Sequence, residues 1–310
     1  MPVNVLFSAR PALWPTYKPL LNQGLQKAGL DVRLATEFDP EEVDYVVYAP
    51  NGGLQDFTPY TRLKAVLSLW AGVETIADNQ TLTVPLARMV DHGLTQGMTE
   101  WVVGHVLRYH LGMDTHIKAQ DTTWIPDPPP LADERKVCVL GLGALGQAAA
   151  RALVALGFDV TGWSRTAKDI PGVTCLYGPQ GLNAALSSAE IVVLLLPDTP
   201  ATENTLNART LALLPKGAMV INPGRGPLID DDALLDALNS GQVGHATLDV
   251  FRVEPLPPEH PYWSHPNVTV TPHIASETRP VTAAQVICEN IVRGEAGQPF
   301  LHLVDRQLGY

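Results

Sequence analysis

The chain has 310 residues, 45% of them hydrophobic, with a mean hydropathy of +0.05, enough to bury the cores of about two domains. A formal net charge of -11 at pH 7 excludes non-specific nucleic-acid binding, which depends on clustered Lys and Arg, and requires any anionic ligand to find a local positive site. No apolar run approaches the roughly 18 residues of a membrane span, and Cys138, Cys175 and Cys288 lie too far apart for a disulfide framework or a zinc site.

The opening run Val3–Phe7 reads as a strand, with no basic and apolar leader before it, so a reducing, cytoplasmic location is expected and no metal is. Val32–Leu34, Tyr45–Tyr48 and Ala65–Leu69 continue the strands, and Tyr17–Ala28 reads as a helix between them. That alternation predicts a first α/β unit with a parallel sheet. Thr99–Ala119 has no proline and carries an apolar periodicity through Trp101, Val102, His105, Val106 and Tyr109, which predicts one long helix ended by the Pro-rich stretch Ile125–Pro130.

A second alternation begins at Lys136. It runs through strand Val137–Leu140, helix Ala144–Leu156 and the strands Asp159–Trp163, Ile191–Leu196, Met219–Asn222, Ala246–Asp249 and Val268–Val270. Repeated β-α-β units of this kind predict a doubly wound sheet. The helical pattern after Ser276 precedes a tail too short to fold alone, so it is expected to return to the first unit. The expected division is therefore 1–98 plus 276–310, discontinuous, and 99–275.

Directly after the strand ending at Leu140 comes Gly141-Leu142-Gly143-Ala144-Leu145-Gly146, followed by an Ala-rich helix. In that context the glycines suit a tight turn, a close backbone approach to a pyrophosphate, and close helix–strand packing, with helix N–H groups facing the anion. A purely structural turn is the alternative. The next strand ends in Ser164-Arg165-Thr166, with Lys168 close behind, where an NAD site usually carries a carboxylate. A guanidinium, two hydroxyls and an ammonium suit a 2'-phosphate, which predicts NADP(H) over NAD(H); a solvated basic turn is the alternative.

Three further strings fall near predicted strand ends: Asn222-Pro223-Gly224-Arg225-Gly226, Asp249-Val250-Phe251-Arg252-Val253-Glu254-Pro255 and Thr271-Pro272-His273-Ile274-Ala275. With the glycine turn, and in this order, they resemble the D-isomer-specific 2-hydroxyacid dehydrogenase family over nearly the whole chain. Trp163-Ser164-Arg165, Arg88-Met89-Val90-Asp91 and Val304-Asp305-Arg306 are similar to the glyoxylate/hydroxypyruvate reductase A branch within it. The resemblance implies two doubly wound domains, a Rossmann cofactor domain and a flavodoxin-like, discontinuous substrate domain. It implies NADPH-dependent reduction of small 2-keto acids such as glyoxylate and hydroxypyruvate.

Arg225 would grip the substrate carboxylate and keto oxygen with its planar fork. His273 would deliver the proton, and Glu254 would orient its ring and favour the protonated form. A related branch that oxidises formate carries an amide at the position of Glu254.

Also by resemblance, Leu196, Pro197, Pro223, Gly224 and Asp249 would contact the nicotinamide side of the cofactor, although Pro223 and Gly224 depart from the family's common string. Leu69–Glu74 resembles the loop whose N–H groups receive the carboxylate, through Trp70, Ala71 and Gly72, with Tyr48 and Trp70 walling a small pocket. A plain turn and ordinary core aromatics are the alternatives there. The long helix and the loop with Trp124 and Pro126 would pack against a second subunit in a homodimer. Two other readings stand beside this one: a phosphoglycerate-type dehydrogenase, and a non-catalytic nucleotide-sensing protein on the same fold.

Overall fold

The computed structural model describes residues 2–120 and 124–310. It divides into unit 1, Met1–Leu94 with Glu277–Tyr310, and unit 2, Thr95–Ser276. Sequence patterning puts the same two divisions at 98/99 and 275/276. The C-terminal segment belongs to unit 1 because Ala283, Ala284, Ile287 and Ile291 of helix Pro280–Glu295 bury their apolar stripe against Leu21 and Leu25 of helix Trp14–Lys27.

Among the described residues, unit 1 holds five parallel strands, β1 (Val3–Ser8), β2 (Val32–Ala35), β3 (Tyr45–Tyr48), β4 (Ala65–Ser68) and β5 (Leu86–Ala87), in the order β2-β1-β3-β4-β5. β1, β3 and β4 are buried throughout, as expected for parallel strands covered on both faces.

Among its described residues unit 2 holds seven parallel strands: β6 (Lys136–Leu140), β7 (Asp159–Ser164), β8 (Val173–Tyr177), β9 (Ile191–Leu194), β10 (Ala218–Asn222), β11 (Val243–Leu248) and β12 (Val268–Val270). Their order is β12-β11-β10-β9-β6-β7-β8. The order reverses between β6 and β9, and this is the crevice where open α/β sheets bind ligands, beyond the carboxyl ends of the strands.

Two expectations need correction. The helix predicted over Thr99–Ala119 starts earlier, at His92, and stops at His110; Gly112 then takes φ 60°, ψ 30°, and a separate helix runs over Met113–Lys118. Gly112 reaches this left-handed conformation without steric cost, so the glycine ends the long helix before Ile125–Pro130 is reached. β8 and helix Gly178–Ser188 were not predicted, because β8 is an edge strand without a fully buried residue run. Among the described residues no helix is long and apolar enough to cross a membrane.

Candidate active site

The glycine turn joins β6 to helix Ala144–Ala155. Gly141 has φ 104°, and a Cβ there would lie 2.4 Å from the Leu195 carbonyl oxygen, so only glycine lets this turn abut the end of β9. A Cβ on Gly146 would meet the Gly141 carbonyl oxygen at 1.7 Å. Gly143 differs from both: its φ is -74° and a Cβ there meets no protein atom within 4 Å. The protein's own packing does not require glycine at 143, whereas a ligand backing onto the turn would. Gly143 also gives the helix no side-chain cap, leaving its first N–H groups for an anion. Leu142, by contrast, is buried, and Leu145 packs from a half-buried position against the core of the unit.

The end of β7 is tied to this turn by the Gly141 N–H, which donates to the Trp163 carbonyl at 2.8 Å. Arg165, Thr166 and Lys168 are exposed just beyond it. Ser164 is buried and its hydroxyl donates to the Thr166 carbonyl at 2.7 Å, so it shapes the basic turn from within. Leu196 is buried and Pro197 half-buried after β9, and Pro223 and Gly224 are buried after β10.

The three catalytic candidates sit on loops at the carboxyl ends of β10, β11 and β12. Asn222, which sequence reasoning quoted without assigning a role, staples the first loop: its Nδ2 donates to the Arg225 carbonyl at 2.8 Å and its Oδ1 accepts from the Gly224 N–H at 3.1 Å. Arg225 is half-buried and Nη1 donates to the Gly224 carbonyl at 2.7 Å. Gly226 is forced by the second loop, since a Cβ would fall 2.0 Å from the Phe251 carbonyl carbon.

His273 Nδ1 donates to Glu254 Oε2 at 2.7 Å, while Glu254 Oε1 accepts from the Phe251 N–H at 2.9 Å. A carboxylate only accepts, so Nδ1 carries the hydrogen and Nε2 is the nitrogen left for a substrate. His273 itself has φ 54°, an uncommon backbone state for a non-glycine residue and one that clusters at functional sites.

Asp249 holds it there. This fully buried carboxylate accepts from Thr271 Oγ1 at 2.6 Å, Ile274 N–H at 2.9 Å and Ala275 N–H at 2.8 Å, and its carbonyl accepts from the His273 N–H at 2.8 Å. Arg252, also without a role assigned from sequence, ties the Glu254 loop to the chain following Arg225: Nη2 donates to the Ile229 carbonyl at 2.7 Å and to Asn204 Oδ1.

Burial and the nearby Arg108 guanidinium hold His245 down at about 4, and the same two causes lower His105, so both are neutral at pH 7. The cavities of about 180 and 200 Å³ lined by Arg135, Lys216, Arg108 and His245 lie at the opposite, amino-terminal strand ends. Among the described residues no cluster of His, Cys, Asp and Glu is placed to hold a metal.

In unit 1, Trp70 is exposed, while Ala71 and Gly72 are half-buried. The Ser68 hydroxyl accepts from the Trp70 N–H and donates to its carbonyl, both at 3.0 Å, and Thr278 Oγ1 donates to the Leu69 carbonyl at 2.9 Å. Among the described residues the N–H groups of Ala71, Gly72 and Val73 have no hydrogen-bond partner, as an anion-receiving loop requires. Tyr48, expected as a pocket wall, is only 4% exposed and packs on Phe57 at 6.0 Å; the core alternative describes its place.

Comparison with known proteins gives the family of the chain. Residues 104–275 match the family model for the D-isomer specific 2-hydroxyacid dehydrogenase, NAD binding domain. The chain is 40% identical to a glyoxylate/hydroxypyruvate reductase A from Serratia proteamaculans, over 95% of this chain and 98% of that protein. A D-isomer specific 2-hydroxyacid dehydrogenase from Xanthobacter autotrophicus Py2, solved with NADPH and MES, superposes with a TM-score of 0.91 at 44% identity, covering 100% of both chains. An NADPH-dependent glyoxylate/hydroxypyruvate reductase from Sinorhizobium meliloti, solved with NADP and sulfate, gives 0.84 at 35% identity, covering 100% of this chain and 99% of that one.

Proposed function

We infer the reaction from a fixed premise: this chain belongs to the D-isomer-specific 2-hydroxyacid dehydrogenase family. It is an NADPH-dependent reductase of small 2-keto acids, glyoxylate and hydroxypyruvate, giving glycolate and D-glycerate. The observation that carries the chemistry is the 2.7 Å contact between His273 Nδ1 and Glu254, on a histidine held at φ 54°.

NADPH, when bound, supplies the hydride to the keto carbon. The open face at Gly143 and the uncapped helix fit its pyrophosphate, which Gly141 to Gly146 would hold. Arg165, Thr166 and Lys168 would take the 2'-phosphate, with Ser164 shaping their turn, and Leu196, Pro197, Pro223, Gly224 and Asp249 would line the nicotinamide side. Arg225 grips the carboxylate and polarises the keto oxygen. His273 gives its Nε2 proton to that oxygen as the alkoxide forms, and Glu254 stabilises the resulting ring orientation through Nδ1. The N–H groups of Ala71, Gly72 and Val73 are assigned to carboxylate binding, whereas the Trp70 N–H expected among them is held by the Ser68 hydroxyl at 3.0 Å; the bulk of the Trp70 ring favours acids of two or three carbons.

The protein is cytoplasmic, and it is a homodimer, supported by the exposed apolar side chains of Ile117, Trp124 and Leu131 beyond the long helix. The test of substrate class is steady-state turnover with NADPH and NADH in parallel against glyoxylate, hydroxypyruvate, pyruvate and 3-phosphohydroxypyruvate. Fastest turnover of the first two with NADPH is expected. Preference for the phosphorylated acid with NADH would assign the phosphoglycerate type instead, and binding without any turnover would assign a sensor.

A further inference from the structure

Two strings set apart in the sequence, Arg88-Met89-Val90-Asp91 and Val304-Asp305-Arg306, meet in unit 1. The C-terminal tail lies along β5: Ala87 and Leu303 form an antiparallel bridge, the Arg88 N–H donates to the His302 carbonyl at 3.0 Å, and the Val304 N–H donates to the Leu86 carbonyl at 2.9 Å. A turn closed on the Asp305 carbonyl, which accepts from Leu308 and Gly309 N–H at 3.1 and 2.9 Å, then presents Arg306. Its guanidinium spans three carbonyls: Nε donates to Ala77 at 2.8 Å, Nη2 to Asn79 at 2.6 Å, and Nη1 to Leu82.

Those carbonyls belong to the turn that follows the Trp70–Gly72 loop, because the short helix Glu74–Ala77 begins where the loop ends. The same turn reaches the next layer: Asn79 Nδ2 donates to the Gln55 carbonyl at 2.7 Å, and Thr81 Oγ1 accepts from the Phe57 N–H at 3.0 Å. Ser68 and Thr278 fix the start of the loop and Arg306 fixes what comes after it. Only a planar fork with five N–H donors holds three carbonyls at set angles; an ammonium on a flexible stem does not.

We propose that Arg306 is a positioning residue for the substrate loop. It sets the angle at which the Ala71, Gly72 and Val73 N–H groups meet the substrate carboxylate, without touching the substrate. This rests on the reading of that loop given above. A displaced N–H gives up a charge-assisted hydrogen bond to the carboxylate, a loss that is read as about a tenfold change in affinity.

The test measures KM and kcat for glyoxylate, the inhibition constant of oxalate and the Kd of NADPH in Arg306→Ala and Arg306→Lys. In the alanine variant, KM and the oxalate constant are expected to rise about tenfold, a loss of carboxylate affinity, with kcat and the NADPH Kd within about threefold of wild type. The lysine variant falls between, and it carries the same test if the alanine variant does not fold. Wild-type KM in soluble variants with lowered melting temperature, or a joint rise of KM and NADPH Kd, overturns the proposal alone. A wild-type protein that reduces no 2-keto acid overturns the reading it rests on as well.

Discussion

At the scale of single residues, the site depends on a few groups whose replacements separate binding from chemistry. Arg225→Lys keeps the charge and removes the two-pronged grip, so kcat/KM for glyoxylate is expected to fall about 100-fold, near 2.7 kcal/mol, with NADPH affinity unchanged by titration. Asp249→Asn turns one accepting edge into a donor facing the Ile274 or Ala275 N–H, both now bonded to the carboxylate. The lost bond should cost about 1–3 kcal/mol in denaturant unfolding and release His273 from φ 54°, lowering kcat. Arg165→Asp should weaken NADPH far more than NADH; equal losses would remove the 2'-phosphate assignment.

At the scale of elements, the glycine turn separates what the fold needs from what the ligand needs. Gly146→Ala drives a Cβ into a carbonyl oxygen and is expected to destabilise by about 3 kcal/mol or more. Gly143→Ala meets no protein atom, so its melting temperature should stay near wild type while NADPH Kd rises; unchanged affinity would show that the pyrophosphate does not approach there. Much of this was legible in sequence because glycine and apolar runs act locally: β3 and β12 fall at their expected bounds, and the turn follows its strand at once. The strings around Arg225, Glu254 and His273 were legible in the sequence, but the hydrogen bonds of Asn222, Arg252 and Arg306 were not, since each joins residues brought near by the fold. The break at Gly112 was missed because an isolated glycine in an apolar periodicity does not show which φ it takes. For Tyr48 the sequence left wall and core both open, because an aromatic at a strand end reads alike as either; its burial beside Phe57 is a matter of packing.

At the scale of the whole molecule, each unit carries loops at the carboxyl ends of its own parallel sheet, and in an acidic chain Arg225 and the basic Arg165 turn of unit 2 are local attractors for anions. The dimer assignment predicts twice the chain mass in sedimentation, with Ile117→Glu, at a 67% exposed apolar position, shifting it to monomer. The proposed role of His273 is to donate the proton in an NADPH-dependent reduction. It is tested most directly by single-turnover loss of nicotinamide absorbance with glyoxylate, wild type against His273→Ala, with NADPH affinity measured on both. Equal NADPH affinity and a rate about 100- to 10,000-fold lower in the variant are expected. A variant that binds NADPH and reduces glyoxylate at the wild-type rate would contradict it.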